Sequence, residues 1–129
     1  MKGRLRVVFK HFPLGFHVNA RPAAAAAIAA QRQGKFWDYH DLLFQNMKRL
    51  SRSDLINWAK VIGLDLPRFE KDLIDLKVQS QISQEQAEGT RAGVRGTPSV
   101  FLNGRRVKNT PTSTDAVISL VNSEVFGQK

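Results

Sequence analysis

The 129-residue sequence predicts an α/β domain: a strand, a run of helices, a β-hairpin and a last helix. Three observations carry that prediction. Leu5 to Phe9 is a short apolar run without helical period. Residues 23 to 92 hold apolar positions at helical spacing, punctuated by Gly34, Gly63 and Gly93. From Val94 onward the period becomes that of strands around Asn103-Gly104. With 42% hydrophobic residues the chain has enough apolar surface for a modest core.

The elements follow in order. Leu5, Val7 and Phe9 share one face, but Val8 stands where alternation calls for a polar residue. That pattern suits a strand covered on both sides in a parallel or mixed sheet. Pro13, Gly15 and Asn19 make His11 to Arg21 a loop. Pro22 sits in the first turn of a helix, Ala23 to Gln33 continue it with high propensity, and Gly34 closes it. The alanine run 23–27 is helix propensity, not a flexible tract.

Phe36 to Asn46 brings Phe36, Tyr39, His40, Leu43 and Phe44 near one helical face. Ser51 with Asp54 spells a capping box for a helix to about Ile62, ended by Gly63. Asp65 caps the next helix, with Pro67 in its first turn and Phe69, Leu73 and Leu76 as its apolar line. Lys77 to Ala92 is a longer polar helix whose thin buried stripe is Val78, Ile82, Ala87 and Ala92. Trp37, Phe44, Trp58 and Phe69 are expected in the core of this helical part. Ser99 to Leu102 and Arg105 to Lys108 form the hairpin, and Thr112 with Asp115 caps a last helix carrying Ala116, Ile118, Leu120, Val121 and Val125.

Net charge is +9 and unevenly spread: residues 1–30 hold five cations and no acid, whereas 61–90 carry a net −3. Such asymmetry can attract nucleic acid or anionic lipid. No aromatic residues interleave with the cations and no recognition-helix motif is present, which favours a solubilising surface over nucleic acid. No stretch approaches the roughly 18 apolar residues of a membrane span, and the charges scattered through Met1 to Lys10 are unlike a signal peptide.

The most specific stretch is Gly93-Val-Arg-Gly-Thr-Pro-Ser-Val-Phe-Leu-Asn-Gly-Arg-Arg106. Pro98 cannot donate to a sheet, so at the first position of an apolar strand it stands where a ladder bond would be missing anyway. X-Pro is also the one common place for a cis bond, which the sequence alone leaves open. These residues closely resemble the cis-proline loop and following hairpin of DsbA-type thioredoxin-fold proteins, the disulfide oxidoreductases and isomerases of bacterial cell envelopes. The resemblance extends to Phe9-Lys10-His11-Phe12-Pro13-Leu14, to Ala23–Ala30 with Gln33-Gly34-Lys35-Phe36-Trp37, to Tyr39-His40-Asp41-Leu42-Leu43-Phe44, and to Gly63-Leu64-Asp65-Leu66.

That resemblance implies a single partial thioredoxin-like domain over residues 1–129. Residues 20–92 would be the inserted helical subdomain, and 1–19 with 93–129 the sheet and C-terminal helix. The strand and helix that bear the family's Cys-x-x-Cys would be missing. The chain has no cysteine, and thiol exchange needs an attacking thiolate; alone, the polypeptide cannot carry disulfide chemistry. A missing central strand would leave its neighbours' backbone groups unpaired, at about 1–3 kcal/mol for each buried one. Either the first strand moves over to the hairpin or another segment fills the slot.

The substrate-binding candidates are Gly96, Thr97 and Pro98, because in the family the backbone before the proline pairs with an extended peptide. The alternative is a purely structural turn. The resemblance implies an extended polypeptide substrate or partner strand, and strand exchange would make a homodimer; a redox-inactive peptide-binding or assembly module is the competing reading. It also implies a periplasmic or extracytoplasmic location. Nothing calls for a cofactor, although relatives that use glutathione share such a loop. His11, His17 and His40 are not spaced as a metal motif; His40 is expected to satisfy a buried polar contact beside Trp37 and Phe44. Ser99 and Ser113 lack the glycine elbow of a triad nucleophile. Lys10, Arg95, Arg105 and Arg106 read as a solvated basic rim near the loop.

Overall fold

The structure, a computed structural model, describes residues 5–108 and 113–124; the side chains of residues 114 and 121–124 lie outside that description. Its helices are α1 (Ala20–Arg32), α2 (Phe36–Gln45), α3 (Arg52–Val61), α4 (Leu66–Leu73), α5 (Leu76–Arg91) and α6 (Thr114–Glu124), with strands β1 (Phe101–Leu102) and β2 (Arg105–Arg106) before α6. The chain divides into two compact units, Met1–Gly93 and Val94–Lys129. No helix among the described residues is long and apolar enough to cross a membrane.

The helical unit is built around α1. Seven consecutive residues, Ala24 through Ala30, are buried, so this helix is covered on every side rather than along one stripe. Six of the seven are alanine, which lets α2, α3, α4 and α5 all pack against it and spends no side-chain entropy. Around it sit Tyr39, Leu43, Leu55, Leu64, Phe69, Leu73, Val78 and Ile82, all buried.

The predicted punctuation is present in atomic detail. Gly34 and Gly63 take φ of 76° and 78° just past α1 and α3. There Lys35 N–H donates to Ala30 O and Leu64 N–H to Ala59 O, both at 3.0 Å, the six-to-one bond of a Schellman end. Ser51 and Asp54 form the reciprocal capping box of α3, and Asp65 accepts from Arg68 N at the head of α4, where Pro67 also lies. Asp75 adds a cap for α5 that the sequence reading lacked, accepting from Lys77 N.

Side chains then tie the helices together. Gln33 and Asp65 exchange bonds, Gln33 Nε2 to Asp65 O at 3.1 Å and Asp65 N to Gln33 Oε1 at 2.9 Å. Arg32 Nη1 donates to Asp72 Oδ1 and Asp75 Oδ2, each at 2.9 Å. These contacts raise the Arg32 pKa and hold the Asp75 carboxyl below the usual carboxylate range, chiefly through their shared hydrogen bond. Arg21 grips α5 through the Gln79 side chain and carbonyl and Ser83 Oγ.

Several expectations change. Leu5 to Phe9 is not a strand and has no ladder partner among the described residues; Val7 and Val8 are 66% and 60% exposed. Extended backbone counts as a strand only when a neighbour takes its hydrogen bonds. Of the four aromatics expected inside, Phe69 is fully buried, Trp58 is half-buried with Nε1–H donating to Arg49 O, and Trp37 and Phe44 are exposed. The reason lies in α2, where Tyr39 and Leu43 at i, i+4 take the core face and turn Trp37, His40 and Phe44 outward on a second stripe. Leu76 and Ala87 are exposed for the same geometric reason on α5, whose core face is Val78 and Ile82.

In the second unit, β1 and β2 pair antiparallel with Phe101 opposite Arg106 and Leu102 opposite Arg105. Asn103 (φ 50°) and Gly104 (φ 81°) form a turn with both central residues left-handed, the geometry that Asn-Gly favours. The strands are shorter than predicted, though Val107 N–H still donates to Val100 O at 2.8 Å. Ser113 Oγ accepts from Ala116 N at 3.1 Å and caps α6; the expected cap, Thr112, lies outside the described residues.

Candidate functional site

Gly96, Thr97 and Pro98 form one bend between α5 and β1, with Thr97 and Pro98 exposed and Gly96 half-buried. The Thr97–Pro98 peptide is cis. Ser99 Oγ donates to Gly96 O at 2.7 Å and closes the bend on itself, a short serine-to-backbone bond of the kind that competes with regular structure. This serine, weighed in the sequence only as a nucleophile, was not among the substrate-binding candidates; its position directly after Thr-Pro was the available signal. A Cβ added at Gly96 would meet nothing within 4 Å, so no neighbour among the described residues demands a glycine there.

The backbone N–H and C=O of Thr97 have no hydrogen-bond partner among the described residues. A second open position follows from the ladder. Val100 and Val107 are a bonded pair, and antiparallel pairs alternate between bonded and non-bonded. Phe101 therefore turns its backbone N–H and C=O to the outer edge of β1, and its ring is 39% exposed. Thr97 and Phe101 together leave backbone groups open to a further partner.

The histidines lie in the helical unit. His11 and His40 both pack against Phe9 and Phe36, with centroid separations of 5.1 to 6.2 Å. His40 lies between Trp37 and Phe44 at 5.1 and 4.5 Å, but its polar contact, Nδ1 to Asp41 Oδ1 at 3.1 Å, is exposed rather than buried. His11 is buried; burial pulls its pKa below the ordinary 6.5, opposed by the nearby Glu85, whose Oε1 accepts the His11 backbone N–H at 2.8 Å. His17 is exposed beside Phe16. Among the described residues no three His, Asp or Glu side chains are grouped to hold a metal ion.

Other groups are committed to structure. The Tyr39 hydroxyl donates to Leu55 O at 2.8 Å, and burial raises its pKa. The Ser99 and Ser113 hydroxyls serve the bend and the α6 cap. Lys10, expected on a basic rim with the arginines, is paired with Glu88 at 3.6 Å within the helical unit. A shallow depression of about 280 Å³ between Gln31 and Asp38 is lined by Lys35, Phe36 and Trp37, and the Lys35 ammonium is engaged with Ile62 O at 2.8 Å. What the bend and hairpin present is open backbone at Thr97 and Phe101.

Comparison with known proteins agrees with this geometry. The family described as DSBA-like thioredoxin domain matches residues 1–117. A solved structure, a thioredoxin-like oxidoreductase from Silicibacter pomeroyi DSS-3, superposes with a TM-score of 0.66 at 25% identity, covering 87% of this chain and 66% of that one. The fold is thus thioredoxin-like of the DsbA type, mostly helical with a small sheet. Curated relatives carry a different kind of name: Na(+)/H(+) antiporter NhaA 3 of Salinispora tropica is 39% identical over 92% of this chain, and NhaA 1 of Salinispora arenicola 41% identical over 79%. The chain spans only 18% and 16% of the length of those two proteins.

Proposed function

We propose that this chain, which belongs to the DSBA-like thioredoxin domain family, is the peptide-docking module of a thiol-disulfide oxidoreductase or disulfide isomerase. Gly96, Thr97 and Pro98 hold an extended polypeptide by strand addition: Thr97 N–H donates to a peptide carbonyl and Thr97 C=O accepts from a peptide N–H. Phe101 presents the adjoining edge and an apolar ring. The observation that supports this most directly is the unpartnered Thr97 backbone in an exposed bend closed by Ser99.

Exchange itself requires a thiolate to attack a disulfide sulfur and form a mixed disulfide. With no cysteine in its 129 residues, the chain contributes binding, and the thiols come from outside it. DsbA-like proteins are typically periplasmic, and we assign this module an extracytoplasmic setting. We take it to work as one part of a longer protein, as the stretch shared with the antiporters does, and assign no ion transport to it. Titration of ¹⁵N-labelled protein with an extended peptide is expected to shift the amides of Gly96, Thr97, Ser99 and Phe101. Shifts confined to the helical unit would overturn the docking role. Insulin reduction by this chain alone is expected to be nil, and turnover would sink the assignment of chemistry to groups elsewhere.

A second reading has its own observation. Leu5, Val7, Val8 and Phe9 are 38%, 66%, 60% and 38% exposed in a segment without a ladder among the described residues. Such a segment is a template for association, and we propose that a strand from a second copy or from another part of a longer protein completes it. Light scattering across a concentration series is expected to reveal self-association, and a monomer at every concentration would exclude the second copy.

A further inference from the structure

We propose that the peptide this module takes is acidic. The proposal rests on the docking reading above and names the chemistry of its ligand. From Val94 to Lys108 the chain carries Arg95, Arg105, Arg106 and Lys108 and no carboxylate, and all four cations are exposed. Arg95 directly precedes the Gly96–Pro98 bend. Arg105 and Arg106 face Leu102 and Phe101 across the hairpin, and Lys108 lies one residue beyond Val107, whose partner Val100 stands two residues after Pro98. The cations bracket the bend on both sides.

The stretch 94–108 holds no carboxylate at all, whereas the helical unit carries both signs, engages some of its cations and leaves others, among them Lys48, Arg49, Lys60 and Lys71, outside any ion pair among the described residues. There Lys10 pairs with Glu88, Arg32 with Asp72 and Asp75, Arg21 with Gln79 and Ser83, and Lys35 with Ile62 O. Arg95, Arg105 and Lys108 have no carboxylate within ion-pair distance among the described residues. A strand added beside β1 lies about 5 Å from it and about 10 Å from β2. That span is about one Debye length at 0.1 M salt, so the arginines act on such a strand at low ionic strength. Phe101 supplies an apolar contact on the face it shares with Arg106. The complementary ligand is an extended peptide with an apolar residue at its centre and Asp or Glu on either side.

Fluorescence anisotropy with three labelled eight-residue peptides, alike at the centre but flanked by Glu, Gln or Lys, tests this on the intact chain. Weak exposed pairs add to an expected preference of about tenfold for the Glu peptide over the Gln peptide, with the Lys peptide weakest. The preference is expected to vanish near 0.5 M salt and to invert in the R95E/R105E double variant, with circular dichroism as the check on folding. Should that variant unfold, the salt titration on the unmodified chain decides alone. Equal affinity for all three peptides overturns the charge assignment and leaves docking intact, whereas binding of none overturns both. A Glu preference that persists in a folded R95E/R105E chain moves the charge readout away from the hairpin and refutes the assignment.

Discussion

Residues 24–30 of α1 are buried without exception, whereas not one residue from Val94 to Lys108 is. The helical unit ties itself together: α3, α4 and α5 carry side-chain caps, and Tyr39, Gln33 and Arg32 bridge neighbouring helices through named bonds. The bend and hairpin hold themselves with a serine bond, a two-residue ladder and an Asn-Gly turn. Their backbone groups at Thr97 and Phe101 face outward. Stability is therefore concentrated in one unit and available binding groups in the other, so substitutions should separate the two properties.

The largest expected effect is Phe69→Ala, which empties a site with 0% exposure and should cost about 3–5 kcal/mol in urea unfolding. A loss below about 1 kcal/mol would mean that the helical core is loosely packed and the contrast is false. Overpacking tests the same point from the other side. Ala26→Leu, at a position also 0% exposed, should cost about 1–3 kcal/mol because four surrounding helices leave no room. Tyr39→Phe removes the donor to Leu55 O and should cost about 1 kcal/mol, the penalty of a carbonyl left unpaired.

The pH response should come from the helical unit and be smaller again. Burial lowers the His11 pKa below 6.5, so the folded state disfavours the protonated ring. The associated stability is complete above the unfolded value and is lost as pH falls below it toward the folded one. Thermal melts are expected to shift downward between pH 7 and pH 5, and His11→Gln should flatten that slope. The paired Asp75, with its pKa depressed, adds a loss only at still lower pH. An unchanged slope in His11→Gln would place the pH response elsewhere.

The smallest effect on stability is expected at the site. Gly96→Ala adds a methyl group into open space and should change unfolding by less than about 0.5 kcal/mol, while crowding the backbone proposed to dock a peptide. If Gly96→Ala destabilises as much as Tyr39→Phe, the bend is structural and the division between the units fails.

Much of this was legible in the residues. Ser51-x-x-Asp54, Asp65 with Pro67, and Gly34 and Gly63 name helix ends because capping and left-handed φ are local physics. Asn103-Gly104 names a hairpin turn for the same reason. Leu5–Phe9 was misread because strand pattern is a property of a pair, and a lone segment cannot reveal whether its partner is present. Trp37 and Phe44 were misread because α2 carries two aromatic stripes, and only contact with α1 and α3 decides which one is inside. Ser99, though next to the quoted motif, takes its role from a bond that closes only when the bend is formed.

The sequence by itself determined the helix boundaries, the turn, the family resemblance and the absence of a thiol, since each depends on residue identity within a few positions. Tertiary structure decided that an alanine run becomes the buried axis of four neighbours. It also decided which cations find carboxylates and which backbone groups stay open at Thr97 and Phe101. Those outcomes depend on distances between segments remote in sequence, and burial and hydrogen bonding are settled only once the segments meet.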